Sequence, residues 1–359
     1  MAGAPTDRIP LHTWLLPPIG LIAWLLLGKS GAVFAGIALA VVLLGNVIAA
    51  VHHAEVIALR LGEPFGTLVL TMAVTVIEVS LIISIMLTGE PNPALARDSV
   101  HAVLMLVLHG LAGLCIVVGG LRYRQNAFRI AGANAFLTVL MPMSALVLVL
   151  PNYSLAVAGP YYSPLQLAFV SVACLALYAV FLFIQTVWHR DFFLPEGDDP
   201  EAHAAPPPPR IALAAFLLLL LALVAVVLVA KSLAPFIQGG VAAIGAPAKL
   251  VGVIVAAIVL LPETAAAVAA AARNRLQTSI NLALGSAVAC IGLTVPSVAV
   301  VSWWIGQPLA LGISAESTVL LVLSFLMAMF TYGTGRTNLL SGFVHLVLFA
   351  TYIFLIFAP

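Results

Sequence analysis

A chain of 359 residues that is 63% hydrophobic and only 8% charged lies far outside the composition of soluble domains and reads as a polytopic membrane protein. Its formal net charge of +1 supplies no basic field, which excludes nucleic acid as a partner. Cys115, Cys174 and Cys290 all sit in apolar runs with no Cys-x-x-Cys spacing, so they form neither a disulfide frame nor a metal site.

In chain order, residues 1–31 comprise a short polar start and an apolar run, Leu11 to Leu27, which we read as a first helix. Apolar runs long enough to span ~30 Å of hydrocarbon then occupy Ala32 to Val51, Phe65 to Leu87, Ser99 to Leu121, Phe128 to Leu150 and Pro164 to Val187. Residues 188–210 break the pattern with Asp191, Glu196, Asp198, Asp199, Glu201 and the run Pro206 to Pro209. Such a segment is too polar and too proline-rich to bury, and reads as a solvated tether. Five more runs follow: Ile211 to Lys231, Lys249 to Ala269, Gln277 to Ile305, Ile313 to Thr331 and Asn338 to Phe357. The expected fold is therefore all-α with about eleven transmembrane helices. With the first helix set aside, residues 32–187 and 211–359 become two sets of five. An odd number of spans per copy inverts one copy relative to the other, the plan of many secondary transporters.

Charge placement supports this count. Alternating loops collect Arg8, Arg60, Arg122, Arg124, Arg129, Arg190, Arg210, Arg273, Arg275 and Arg336 on one side and Lys29, Arg97, Lys231 and Lys249 on the other, which divides the 14 basic residues ten to four. The positive-inside rule puts the N-terminus and the tether in the cytoplasm and the C-terminus outside.

Most acids fall in loops or at helix starts, and Glu55 and Glu63 are expected there as loop and capping residues. Only Glu78 and Glu263 lie deep, each in the second helix of its set. No Lys or Arg shares their depth, so each acid must be protonated or bound to a mobile cation, because an isolated carboxylate in low dielectric is costly. Thr67, Thr71 and Thr75 lie on the helical face of Glu78. Pro262 removes an amide donor just before Glu263 and frees the carbonyl of Ile258, marking either a packing kink or a helix break at a cation site. In the helix after Glu263, Gln277, Asn281, Gly285, Ala289 and Gly292 form a polar and small stripe, and Asn281 is either a packing amide or a cation ligand. The corresponding stripe of the first set is His101, Met105, His109 and Gly113. His109 is a proton-relay candidate, or else an imidazole bonded to nearby backbone. His345 is a weaker candidate still.

The run from His53-Ala54-Glu55-Val56 through Arg60-Leu61-Gly62-Glu63-Pro64-Phe65-Gly66, with Ile77-Glu78-Val79-Ser80, resembles the ChaA-type bacterial antiporters of the calcium/cation antiporter superfamily. Leu261-Pro262-Glu263, Asn281 to Ser286, Leu293-Thr294-Val295-Pro296 and Gly333 to Asn338 resemble the same family in the same order. The resemblance implies an inner-membrane exchanger that trades cytoplasmic cations, Ca2+, Na+ or K+, for protons, needing no cofactor. One departure stands out. Where calcium/proton exchangers of the superfamily carry Gly-Asn-Ala-x-Glu, this chain reads Val74-Thr75-Val76-Ile77-Glu78 and Val259-Leu260-Leu261-Pro262-Glu263. Calcium selectivity does not carry over from that motif, although Thr75 still offers an oxygen.

The expected function is thus cation/proton antiport on Glu78 and Glu263, with Thr75 and Asn281 as further candidate ligands. Inorganic cations, protons and the bilayer are the partners. A cation channel is the alternative, but it calls for a continuous polar lining rather than two isolated acids. An intramembrane hydrolase is excluded by the lack of His-Glu-x-x-His or Gly-x-Ser-x-Gly.

Overall fold

The computed structural model describes residues 10–62, 65–88, 92–194 and 206–358. Among them eleven helical rods follow one another, giving the all-α polytopic architecture expected from the sequence. They are α1 (Leu11–Leu27), α2 (Val33–Leu61), α3 (Phe65–Thr88), α4 (Leu95–Met105) joined through a π-helical turn at Leu106–Leu111 to α5 (Ala112–Tyr123), α6 (Ile130–Ser144) and α7 (Pro164–Phe183). The second series is α8 (Pro209–Ala243), α9 (Lys249–Ala271), α10 (Leu276–Ala289) joined through a π turn at Cys290–Thr294 to α11 (Val295–Ile305), α12 (Ala315–Tyr332) and α13 (Leu339–Phe357). Nine of these stretches are long and apolar enough to cross a membrane; α1, and the Met72–Leu87 portion of α3, are shorter apolar helices. In each half the third rod carries a π turn near its middle, a shared irregularity that fits a duplicated plan.

Local chemistry sets several ends. Ser163 and Gln166 form a reciprocal capping box with Pro164 at the first helical position of α7, which satisfies donors that the helix start would leave bare. The Asn338 side chain accepts from the backbone N–H of Leu340 and Ser341 at 3.0 and 3.4 Å to start α13. At the end of α11, Gly306 takes φ +70°, a left-handed stop that glycine adopts without steric cost. A short antiparallel pair, Gln125–Ala127 (β1) with Arg336–Asn338 (β2), ties the loop after α5 to the loop before α13.

Two rods overrun their expected ends. Helix α2 continues to Leu61, so Glu55 is an exposed helical residue rather than a loop residue. The physical reason is periodicity: Ala50, His53, Ala54 and Ile57 keep one face buried, while Glu55 stays outside and Arg60 complements the negative end of the helix. Helix α8 likewise carries Lys231 and Pro235 inside its 35 residues. Arg97 and Asp98 belong to the first turn of α4, where they form an ion pair at 2.8 Å. Glu63 and the tether acids Glu196, Asp198, Asp199 and Glu201 lie outside the described residues.

The chain forms two compact units, Met1–Asn92 with Asp199–Gly245, and Pro93–Asp198 with Ala246–Pro359. Each unit draws helices from both halves, so the division into sequence halves is one of chain order, not of packing. In the first unit α2 and α8 form the main contact, with α1 and α3 laid against both. Leu39, Leu43, Val47, Val226 and Val229 are fully enclosed there. Close approach relies on glycine at Gly20, where an added Cβ would stand 2.5 Å from the Asn46 amide. His53 Nε2 also bonds the Thr13 carbonyl at 3.0 Å, fixing the start of α1.

In the second unit α9 packs on α4 and α10, and α13 packs on α5. Phe136, Phe181 and Phe193 form a ring cluster with centroids 5.0 to 6.0 Å apart. Outward-facing positions on many helices carry large apolar side chains, and Trp303 and Trp304 stand exposed at the end of α11, as amphipathic rings do at a membrane boundary.

Candidate functional site

Helix α3 presents Glu78 on its packed face. Only 4% of Glu78 is exposed, with Thr75 one turn earlier on the same side and 6% exposed. Three residues of helix bring the two side chains alongside one another. Their helix neighbours Ile77, Leu81 and Ile82 are fully enclosed, so a carboxyl group and a hydroxyl are buried together on one face of the helix in the first unit. The side chains of Thr67 and Thr71 lie outside the described residues.

Helix α9 presents Glu263 half-buried in the second unit. It runs unbroken from Lys249 to Ala271 with Pro262 inside it, which corrects the expectation of a helix break. Proline removes one rung of the hydrogen-bond ladder, and the flanking turns carry the helix across it. The Thr264 hydroxyl adds a bond to the Leu260 carbonyl at 2.7 Å. The position of α9 against α4 is set by Gly252, where a Cβ would meet the Asp98 and Ser99 backbone at 2.7 to 2.8 Å. Against α10 it is set by the Ser279 hydroxyl, which donates to the Ala267 carbonyl at 2.6 Å.

The polar stripe of α10 is a chain of amides. The Arg129 N–H donates to Gln277 Oε1 at 2.7 Å, Gln277 Nε2 to Asn281 Oδ1 at 2.9 Å, and Asn281 Nδ2 to the Phe193 carbonyl at 2.5 Å. Asn281 thus bonds through both ends of its amide and ties α10 to the turn after α7. Gly292 allows the backbone to approach Tyr178, whose Cβ would stand 2.7 Å from an added carbon, whereas Gly285 meets nothing closer than 3.8 Å.

The stripe on the third rod of the first half faces α12 and α13. His101 lies edge-on to Tyr352 with centroids 5.1 Å apart. Ser324 donates to Met105 Sδ at 3.5 Å, and Gly113 sits under His345. His109 and His345, both fully buried, meet at 2.8 Å through their Nδ1 atoms. His345, rated lowest in the sequence, is therefore the partner of the relay candidate. Its Nε2 lies 2.9 Å from the Thr331 hydroxyl. Among the described residues, no group of three or more His, Cys, Asp or Glu gathers as a metal cluster would.

Acids buried on apolar helices, in a chain of stacked membrane-length rods, define an integral membrane protein of the ion-transporter class. The chain belongs to the sodium/calcium exchanger protein family, which matches residues 29–187 and 214–358. It is 44% identical to the y4hA protein of Sinorhizobium fredii, which bears the name of an ionic transporter, over 98% of this chain and 97% of that one. It is 34% identical to the sodium-potassium/proton antiporter ChaA of Escherichia coli, over 96% of this chain and 95% of the relative. The fold is also that of native YfkE, with a TM-score of 0.73 at 19% identity, covering 97% of this chain and 99% of that one. The exchanger CAX gives 0.72 at 14% identity, covering 96% and 87%.

Proposed function

We propose that this protein is a secondary antiporter that exchanges inorganic cations for protons, with Glu78 and Glu263 as the groups that cation and proton share. The observation that carries the reading is Glu78: a carboxyl group 96% enclosed in an apolar membrane helix, with a hydroxyl oxygen one turn away. A carboxylate held there is costly unless neutralised, and a proton or a bound cation neutralises it equally well. Two carboxyl groups that give up two protons for one divalent cation, or for two monovalent ones, leave the buried charge unchanged. Exchange therefore never places net charge in hydrocarbon.

Support for the proton as counter-ion comes from the relative named a sodium-potassium/proton antiporter and from others named Ca(2+)/H(+) antiporters in Bacillus subtilis and Synechocystis. Na+, K+ and Ca2+ are accordingly the candidate cargo. Thr75 supplies a further oxygen, as hard cations require. The carbonyl of Ile258 supplies another, since Pro262 cannot donate to it. Asn281 acts on this reading as a positioning amide for α10, because its bonds to Gln277 and Phe193 occupy both ends. Because protons and cations compete for the same carboxyl oxygens, apparent cation affinity rises with pH. The inner membrane of a bacterium is the proposed location, with the N-terminus in the cytoplasm.

Everted vesicles loaded with a pH-sensitive dye test the function. Adding Na+, K+ or Ca2+ in turn should move protons in the wild type, and the ranking of ions gives the preference. A cation flux with no accompanying proton movement under any of the three ions would establish a channel and overturn the antiport reading.

A further inference from the structure

The second unit holds a line of two buried imidazoles and a hydroxyl. His109 sits in the π turn between α4 and α5, and the Nδ1 atoms of His109 and His345 lie 2.8 Å apart. Two bare lone pairs would repel at that distance, so one Nδ1 carries a hydrogen and the other accepts it. His345 Nε2 continues the line to the Thr331 hydroxyl at 2.9 Å. Thr331 ends the line one helical turn from Thr334, which is exposed to solvent. At the other end, His109 Nε2 is buried with no hydrogen-bond partner among the described residues. A buried imidazole nitrogen left bare is costly, and a fold tolerates that where the group is used. The π turn that holds His109 packs against α9, the helix of Glu263.

We propose that His109, His345 and Thr331 form a proton wire, separate from the cation ligands, that passes protons between water at the α12–α13 turn and the interior beside α9. The inference rests on the antiport reading and adds the route its protons take. In the resting arrangement His109 Nδ1–H donates to His345 Nδ1, and His345 Nε2–H donates to Thr331 Oγ1. A proton arriving at His109 Nε2 forms an N–H bond there, and the Nδ1 hydrogen transfers to His345 Nδ1. The Nε2 hydrogen of His345 then transfers to Thr331 Oγ1, whose own hydroxyl hydrogen leaves toward water. One proton enters and one leaves, no electrons change hands, and every group ends neutral. Transfer in the opposite direction, or reorientation of the rings and hydroxyl, restores the starting tautomers.

The titratable groups on the packed elements are few. On α12, Tyr332 has its ring centroid 6.5 Å from that of His345, and its hydroxyl is buried without a partner among the described residues. Cys115 on α5 is buried, Glu263 and Lys249 lie on α9, and His101, Arg97 and Asp98 lie on α4. Helix α10 carries amides and hydroxyls, Gln277, Ser279 and Asn281 among them, and no titratable side chain. No group of fixed charge is bonded to either imidazole among the described residues, so the pair is able to shuttle a proton rather than hold it in an ion pair.

The test uses the full-length protein in liposomes and two readouts: cation flux driven by a pH gradient, and tracer exchange of a cation for the same cation with no gradient. The second needs the carboxyl groups but no proton wire. His109→Asn and His345→Asn should each slow the proton-coupled flux at least about tenfold and leave self-exchange within about twofold of wild type. Thr331→Val should act likewise, and Thr331→Ser should restore the coupled rate. If the histidine variants do not reach the membrane, the Thr331 pair decides by the same two readouts. Proton-coupled flux at the wild-type rate would overturn the proposal, as would equal loss of both fluxes. Failure of the antiport reading is distinct, because wild type itself would then show no coupled flux.

Discussion

Helices α3 and α9 occupy the same place in their halves of the chain and carry the same central acid, yet the fold surrounds them differently. Helix α3 lies against α2 and α8, the opening helices of the two five-helix sets, and encloses Glu78 almost completely. Helix α9 lies against α4 and α10, which belong to the third rods of the two sets, and leaves Glu263 half-buried behind Pro262. The oxygens proposed beside the acids differ in kind as well, a threonine hydroxyl in one case and the carbonyl of Ile258, to which Pro262 cannot donate, in the other. On the duplicated plan expected from the sequence, the charged group keeps its chemistry while its surroundings diverge. Unequal surroundings for equal acids are also what a carrier needs if its two copies exchange environments during a transport cycle.

Substitutions at five positions probe that comparison, from the largest expected effect to the smallest. Glu78→Gln and Glu263→Gln keep shape and one oxygen but can neither release a proton nor balance a cation. Each should slow exchange at least about a hundredfold, roughly 2.7 kcal/mol of barrier, at normal membrane abundance. A much milder loss at Glu263 than at Glu78 would show that the two acids are not equivalent carriers. Gly252→Ala should destabilise by about 1 to 3 kcal/mol through overpacking against the Asp98 backbone. Hydrogen exchange should then speed up in α4 and α9 and remain as in wild type in α2 and α8.

Thr75→Val removes an oxygen without changing volume much and should weaken apparent cation affinity by about 1 kcal/mol, roughly fivefold, while Thr75→Ser should be close to neutral. Equal affinities for Val and Ser would remove Thr75 from the ligand set. Pro262→Ala returns an amide donor to the Ile258 carbonyl and should weaken affinity by no more than about twofold, read as KM in the vesicle assay. An effect as large as that of Thr75→Val would make the carbonyl an equal ligand.

Much of this was legible in the sequence, for reasons that also explain what was not. Apolar runs located all eleven rods because hydrocarbon demands length and composition, and Leu11–Leu27 and Pro164 onward begin where the sequence places them. The ends of α2 and α8 were not legible, because a composition reading stops at the first charge whereas the backbone continues while one face stays packed, as Ala54 and Ile57 do beyond His53. The acids stood out as charges without a base at their depth. The His109–His345 pair did not, since 236 residues separate its members and only tertiary contact joins them. A signal was nonetheless present: two lone imidazoles in apolar helices each need a partner, and each was the best candidate for the other. Asn281 hid its role similarly, its acceptor being the Phe193 carbonyl 88 residues away.

The central claim, that cation and proton compete for the same two carboxyl groups, is tested most directly by proton release from the purified protein. Cation is added to the detergent-solubilised chain in weakly buffered solution, and a pH dye reports the protons displaced. Wild type should release protons in a saturable manner as cation binds, and Glu78→Gln and Glu263→Gln should each lose that release while remaining folded. Release equal to wild type from either glutamine variant would show that its glutamate is not a shared carrier and would contradict the account.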